Sequence, residues 1–211
     1  MDPAKLFSEA RALGRRSLTE AEGKAVLANV QIPVPRSAVA GDAPSAGRLC
    51  ADMAPPFVVK VMSPDILHKS DAGGVALGLH DAAAVEAAIA QMSARPEISS
   101  ARLEGWLVEE MAPAGQELVV GGLRDPKFGP MLMVGLGGIF VEVMQDVAFR
   151  ICPITADDAR SMLGQLRAAP LLDGARGTAT VDREALIDLM LKVGGPDGLM
   201  MRHGQAIAEL D

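Results

Sequence analysis

Much of what would commit a chain to a common function is missing here. There is no basic run and no basic helix face, and the formal net charge is -7. Non-specific nucleic-acid binding needs a positive stripe that displaces counterions, so that class is excluded. The two cysteines, Cys50 and Cys152, share no CxxC spacing. A disulfide framework is not expected, and two free thiols suit a reducing cytoplasm. Three scattered histidines without HExxH or CxxC argue against a zinc site. No stretch of about 18 apolar, uncharged residues occurs, so no membrane span is expected. The opening MDPAKLFSEARALGRR lacks an apolar core followed by a cleavage site, and no secretory leader is expected.

Two familiar phosphate motifs are missing as well. Gly23-Lys24 is followed by Ala25, and Leu18 stands where a Walker A glycine would, so there is no P-loop. Gly135-Leu136-Gly137-Gly138 suggests a dinucleotide fingerprint, but Phe140 occupies the third glycine position.

What remains is an ordinary folded composition. Of 211 residues, 49% are hydrophobic and 22% charged, enough for one core or for two lobes that share a cleft. Aromatic residues reach only 3%, while methionines number 12. Met131, Met133 and Met144 are expected to fill core gaps. An acidic chain can still bind ATP, because a local lysine and backbone N–H groups suffice for the phosphates.

Residues 4–14 read as a helix stopped by Gly14. A second helix begins after Thr19, its N-cap, with acids in the first turn. Ile32-Pro33-Val34-Pro35 forces an extended segment, and 42–53 reads as a short helix. Strands are expected at 57–62 and 75–79, joined by a loop over 63–74 rich in Pro, Asp, Ser and Gly. Asp81 caps a helix running to about 94. Further strands are expected at 103–111, 117–123, 131–134 and 147–151, with a turn at 124–129. Helices are expected at 156–168, capped by Thr155, and at 182–193, capped by Asp182, and a last strand at 205–211. Strands come in groups with helices between them, which predicts an α+β, two-lobed fold. The lobes are placed at 1–109 and 110–211.

The segment from Lys60 to Val75 holds the most chemistry. A lysine near the end of a strand precedes a loop with His68, Lys69, Ser70 and Asp71, and Gly73-Gly74 opens the next strand. Glycines let N–H groups approach phosphate oxygens, and lysine adds a point charge. On residue chemistry alone the loop is either a phosphate cover or a surface hairpin bent by its glycines. His68 is either a nucleophile toward phosphorus or a plain surface side chain. Glu110 and Glu117, seven apart, are expected at one cleft edge or on a solvated surface.

Together these segments resemble the ATP-grasp (beta) portion of ADP-forming acetyl-CoA synthetases, within the NDP-forming acyl-CoA synthetase family. The signatures are FVVKVMSPDILHKSDAGGV from Phe57 to Val75, EEMAP from Glu109, GQELVVG from Gly115, RDPKFGP from Arg124, and GLGGIFVEV with DVAFR ending at Arg150. LLDGARG from Leu171 and IAELD from Ile207 are similar too. The resemblance runs from Leu18 onward and implies an ATP-grasp fold with a nucleotide cleft between two lobes. It implies a ligase reaction, acyl-CoA + phosphate + ADP ⇌ acid + CoA + ATP, with Mg²⁺ and a CoA-binding subunit or domain as partner. His68 is then a transient phosphohistidine. Lys60 contacts the nucleotide phosphates, and Gly73, Gly74 and Val75 form the phosphate-covering loop. Glu110 and Met111 read the adenine edge at a hinge, Glu117 takes the ribose hydroxyls, and Arg150 holds the terminal phosphate. Gly137 and Gly138 serve close packing or the phosphate end. Asp211 is the implied metal ligand; the family's asparagine two residues on is not in this chain, so weak Mg²⁺ binding is expected. The alternative is a catalytically incomplete nucleotide-binding or regulatory module.

Overall fold

A computed structural model describes residues 2–66, 68–137, 145–174 and 180–210. The chain divides into two units. One comprises Ser8–Leu27 and Pro33–Pro113; the other comprises Asp2–Phe7, Ala28–Ile32 and Ala114–Asp211.

Two helices open the chain. Helix α1 (Pro3–Ala12) starts on a proline at its first position, and Gly14 follows it at φ +69°. Helix α2 (Glu20–Asn29) begins with a reciprocal cap: Glu22 N–H donates to Thr19 Oγ1, and Thr19 N–H donates to Glu22 Oε2 at 2.7 Å. The same Glu22 carboxylate is gripped by Arg15 at 2.7 and 2.8 Å. The Arg15 hydrogen bond, against a smaller burial cost, holds the Glu22 pKa down at about 2.

The first unit carries a four-stranded antiparallel sheet of order β1-β4-β2-β3. Its strands are β1 (Ser37–Ala40), β2 (Phe57–Met62), β3 (Val75–Leu79) and β4 (Gly105–Glu110). Helices α3 (Ala43–Leu49), α4 (Ala82–Ser93) and α5 (Pro96–Ser99) complete it. Period-two alternation divides the central strands. Phe57, Val59, Val61, Trp106 and Val108 pack with Ala46 of α3, Val85, Ile89 and Met92 of α4, and Ile98 of α5. Lys60 and Glu109 alternate to the opposite face. β3 is irregular: its pairing with β2 slips between Phe57 and Val59, Gly78 takes φ +68°, and Leu77 is exposed.

The second unit repeats the plan with a sheet of order β7-β6-β5-β8, again antiparallel. Its strands are β5 (Leu118–Asp125), β6 (Gly129–Leu136), β7 (Val147–Ile151) and β8 (Glu209–Leu210). Helices α6 (Ala156–Gln165), α7 (Ala169–Leu172), α8 (Arg183–Gly194) and α9 (Leu199–Arg202) follow. Thr155 and Asp158 cap α6 reciprocally, and Asp182 caps α8. One sheet face buries Leu132, Val134, Leu136 and Ala148, while Met162, Leu163, Met190 and Val193 bury from the helices. Gly194 sits so close that an added Cβ would lie 3.1 Å from Leu132 Cβ and 3.0 Å from Cys152 Sγ. Cys152 is free, and burial raises its thiol to about 11. The other sheet face is apolar and more open, with Phe149 and Ile151 exposed.

Several expectations need correcting. The 42–53 helix is two pieces, α3 and a 3₁₀ turn over Cys50–Asp52. The helix expected to reach 168 stops at Gln165, because Leu166 turns to extended backbone. The 205–211 strand pairs only over Glu209–Leu210. β1 was not expected at all. Met131 and Met133 are half-buried on the open face rather than in the core, and Met144 lies outside the described residues. No helix among the described residues is long and apolar enough to cross a membrane.

Gln31 follows α2 at φ +60°, where its Cβ crowds the backbone. Gln31→Gly is expected to raise stability by about 1 kcal/mol, read as a higher melting temperature. An unchanged or lower melting temperature would refute this.

Candidate functional site

Lys60 lies on β2 directly across from Val75 of β3, and the loop between them carries His68, Gly73 and Gly74. The structure therefore brings Lys60, the glycine pair and Val75 to one end of a hairpin. The His68 side chain is exposed and makes no hydrogen bond among the described residues. Its carbonyl accepts from Ala72 N–H at 3.2 Å. Gly73 takes φ +64°, with the Arg95 guanidinium against it. Gly74 packs so tightly on Val61 that no side chain would fit. The N–H groups of Gly73 and Gly74 donate within the loop, to Ser70 and Lys69 carbonyls at 3.0 and 2.7 Å. In this conformation they are spent on the turn.

The Lys60 ammonium sits in a network absent from the sequence expectations. It lies 2.6 Å from Glu20 Oε1 and 2.7 Å from Glu109 Oε1. Lys24, one turn along α2, pairs with Glu109 Oε2 and lies 3.1 Å from Glu20 Oε1. Lys69 of the loop reaches Glu20 Oε2 at 3.6 Å. Glu109 is the buried member, 5% exposed. Burial works against the charged form of Lys60, but hydrogen bonds to Glu109 and Glu20 outweigh it and raise its pKa. Burial likewise works against Glu20, and Lys60 and Lys24 outweigh it and lower its pKa. Lys60 is thereby held charged, and the Lys24 and Lys69 side chains converge with it on Glu20, the donor set an oxyanion needs.

Glu110 and Met111 lie at the far end of β2 from the loop, with Glu110 across from Phe57. Glu110 Oε1 accepts from Ala54 N–H at 2.8 Å, and Met111 N–H donates to Pro56 O at 2.8 Å. The Glu110 N–H donates to Arg36 O. A base edge met here is left to carbonyl oxygens and the exposed Met111 side chain.

Glu117 belongs to the second unit. Its carbonyl accepts from Gly137 N–H at 2.8 Å, and a Cβ on Gly137 would fall 2.8 Å from Glu117 Cβ. Gly137 thus serves close packing that fixes Glu117. Arg150 stands across from Leu132, whereas Leu118, next to Glu117, stands across from Leu136. Four residues along β6 is about 13 Å, so the structure does not bring these two together. Arg150 faces α6, bonding Ser161 Oγ at 3.3 Å and lying 3.8 Å from Asp158. Its Nε is buried without a hydrogen-bond partner. Asp211 and Gly138 lie outside the described residues.

The missed residues are Glu20, Lys24 and Glu109. Their only sequence signals are two adjacent glutamates closing an apolar strand and an (i, i+4) Glu–Lys pair opening a helix.

The sequence model of the ATP-grasp domain family matches residues 9–211. The chain belongs to the ATP-grasp family. It is 46% identical over 181 residues to the beta subunit of acetate–CoA ligase [ADP-forming] I of Pyrococcus furiosus, covering 85% of this chain and 78% of that one. Among solved structures it is similar to dinucleotide-forming acetyl-coenzyme A synthetase 1 of Ca. Korarchaeum cryptofilum in complex with coenzyme A, Ca-AMPCP and HgCl⁺. That match has a TM-score of 0.91 and 39% identity, covering 99% of this chain and 90% of that one. A second structure of that enzyme holds coenzyme A and Mg-AMPPCP, its phosphohistidine segment pointing towards the nucleotide binding site. It matches with a TM-score of 0.84 and 37% identity, over 99% of this chain and 89% of that one. The α+β ATP-grasp fold read from the sequence is thereby established.

Proposed function

We propose that this chain is the nucleotide-binding part of an ADP-forming acyl-CoA synthetase, a ligase that runs acyl-CoA + phosphate + ADP ⇌ acid + CoA + ATP with a CoA-binding subunit or domain. The observation that carries the reading is the half-buried Lys60 ammonium beside the Gly73-Gly74 loop, among converging lysines. Family membership and the nucleotide analogues held by its structural relatives support it.

In this reading Lys60 binds the nucleotide phosphates and the 63–74 loop covers them. Glu110 and Met111 meet the base, Glu117 accepts from the ribose hydroxyls, and Arg150 is assigned to the terminal phosphate. That last role requires its guanidinium to leave Ser161 and Asp158. The donor set fits a nucleotide, since Lys60 is kept charged and Lys24 and Lys69 reach the same carboxylate. Mg²⁺ fits as an ion carried by the phosphates, with Asp211 as its protein carboxylate. Among the described residues no group of three or more His, Cys, Asp or Glu is placed to hold a metal. The ion would neutralise phosphate charge. His68, exposed on its loop, receives and returns the phosphoryl group. The work of such a site is in cytoplasmic metabolism, where ADP and acyl-CoA meet.

Calorimetry tests the reading directly. Wild-type chain is expected to bind MgADP and MgATP, and Lys60→Ala to weaken both by about 30-fold, the loss of one charge-assisted contact. No measurable binding to wild type at millimolar nucleotide would sink it.

A further inference from the structure

The carboxylate of Glu20 is surrounded in an unusual way. Lys60 lies 2.6 Å and Lys24 3.1 Å from its Oε1, and Lys69 lies 3.6 Å from its Oε2. An exposed ion pair needs one cation; here three from different elements meet on one anion. They come from the second turn of α2, from β2 and from the 63–74 loop. The second carboxylate, Glu109, plays a different part. Its side chain is 7% exposed, is fixed on β4, and grips Lys24 and Lys60 but not Lys69. Glu20 is more accessible, at 24%, and sits at the helix start. Across the cluster two carboxylates face three ammoniums, so the seat keeps a net positive charge even with Glu20 in place.

We propose that Lys24 and Lys69 join Lys60 in a three-lysine seat for a phosphate oxyanion of the nucleotide, and that Glu20 is its internal competitor, occupying the seat until the phosphate displaces it. This deepens the nucleotide reading and rests on it. Glu109 stays behind as the anchor that keeps Lys24 and Lys60 aimed when Glu20 leaves. Glu20 spares the empty seat the repulsion of three clustered cations, and it sets a threshold. Only a ligand with more concentrated negative charge than one carboxylate takes the seat, which favours di- and triphosphates over carboxylic acids.

The test uses the full chain with tripolyphosphate and MgADP as separate probes in calorimetry. Glu20→Gln keeps the shape and removes the competing charge, so both probes are expected to bind about tenfold tighter. Lys24→Gln and Lys69→Gln are each expected to weaken tripolyphosphate about fivefold. A folded Glu20→Gln chain with unchanged or weaker binding of both probes overturns the proposal. That is the result a purely structural ion-pair network gives. Amine acetylation read by mass spectrometry needs no variant: tripolyphosphate should slow modification of Lys24, Lys60 and Lys69 and leave Lys127 unaffected. Absence of protection at Lys24 or Lys69 overturns it too. If MgADP binds but ignores Glu20→Gln, the nucleotide reading stands and the competitor falls. If tripolyphosphate binds and responds while MgADP does not bind, the seat stands and the nucleotide reading falls.

Discussion

His68→Ala is expected to abolish labelling of the chain by MgATP carrying a labelled γ-phosphate, to about a hundredth of wild type or less. The label on wild type should be acid-labile and base-stable, as a phosphoryl–nitrogen bond is. In that step an imidazole nitrogen forms the new bond to phosphorus, the bond to the bridging oxygen breaks, and ADP leaves with the electron pair. The imidazole is exposed and makes no hydrogen bond among the described residues, so it breaks no bond of its own to attack. Alanine removes the nucleophile yet leaves the hairpin intact, because the loop is closed by backbone bonds from Ala72, Gly73 and Gly74. Nucleotide affinity should therefore stay within about twofold, which separates loss of chemistry from loss of binding. Label persisting on the variant would remove His68 from the reaction.

Glu109→Ala is expected to cost about 3 kcal/mol of folding stability, measured by urea unfolding, because it strips a buried partner from two half-buried ammoniums. Lys24 and Lys60 have side-chain exposures of 16% and 24%, too little for water to replace the lost carboxylate fully. A change below about 0.5 kcal/mol would mean the network is incidental. The same network gives stability a pH signature with two limbs. Lys60 has its pKa raised, so its contribution is complete below its ordinary value of 10.5 and is lost as pH rises through the raised one. Glu20 has its pKa lowered, so its contribution is complete above 4.5 and is lost as pH falls through the lowered one. Wild type and Glu20→Gln should therefore differ by a constant amount near neutral pH, and the gap should close in acid below 4.5.

The elements that sequence located well carry their own punctuation. α4, α6 and α8 each begin on an Asp or Thr whose side chain caps the third following N–H, a local bond visible in the residue order. β1 carries no such mark. Ser37-Ala-Val-Ala is short and follows two prolines, and its strand character comes from pairing with Trp106–Glu109 far along the chain. The Lys60–Val75 loop was legible because lysine, histidine and paired glycines stand close together. Its counter-charges were not, since Glu20 is 40 residues from Lys60 along the chain and Glu109 comes from a different strand. Glu109 also hides in a strand buried on both faces, where no alternation singles out one glutamate. Glu20 was read as an acid favouring a helix start; its contacts add a second role that only three dimensions disclose.

The irregular β3 has a bearing on solubility. It is the outer strand of its sheet, the position at which one molecule's backbone could recruit another's into a growing ribbon. The register slip beside Phe57 and the left-handed Gly78 bend that rim, so a straight incoming strand cannot match its donors and acceptors in sequence. Leu77, apolar and projecting, would otherwise make this margin an adhesive one. The kink lets the hairpin keep its long loop over 63–74 without exposing a template for fibrous self-assembly.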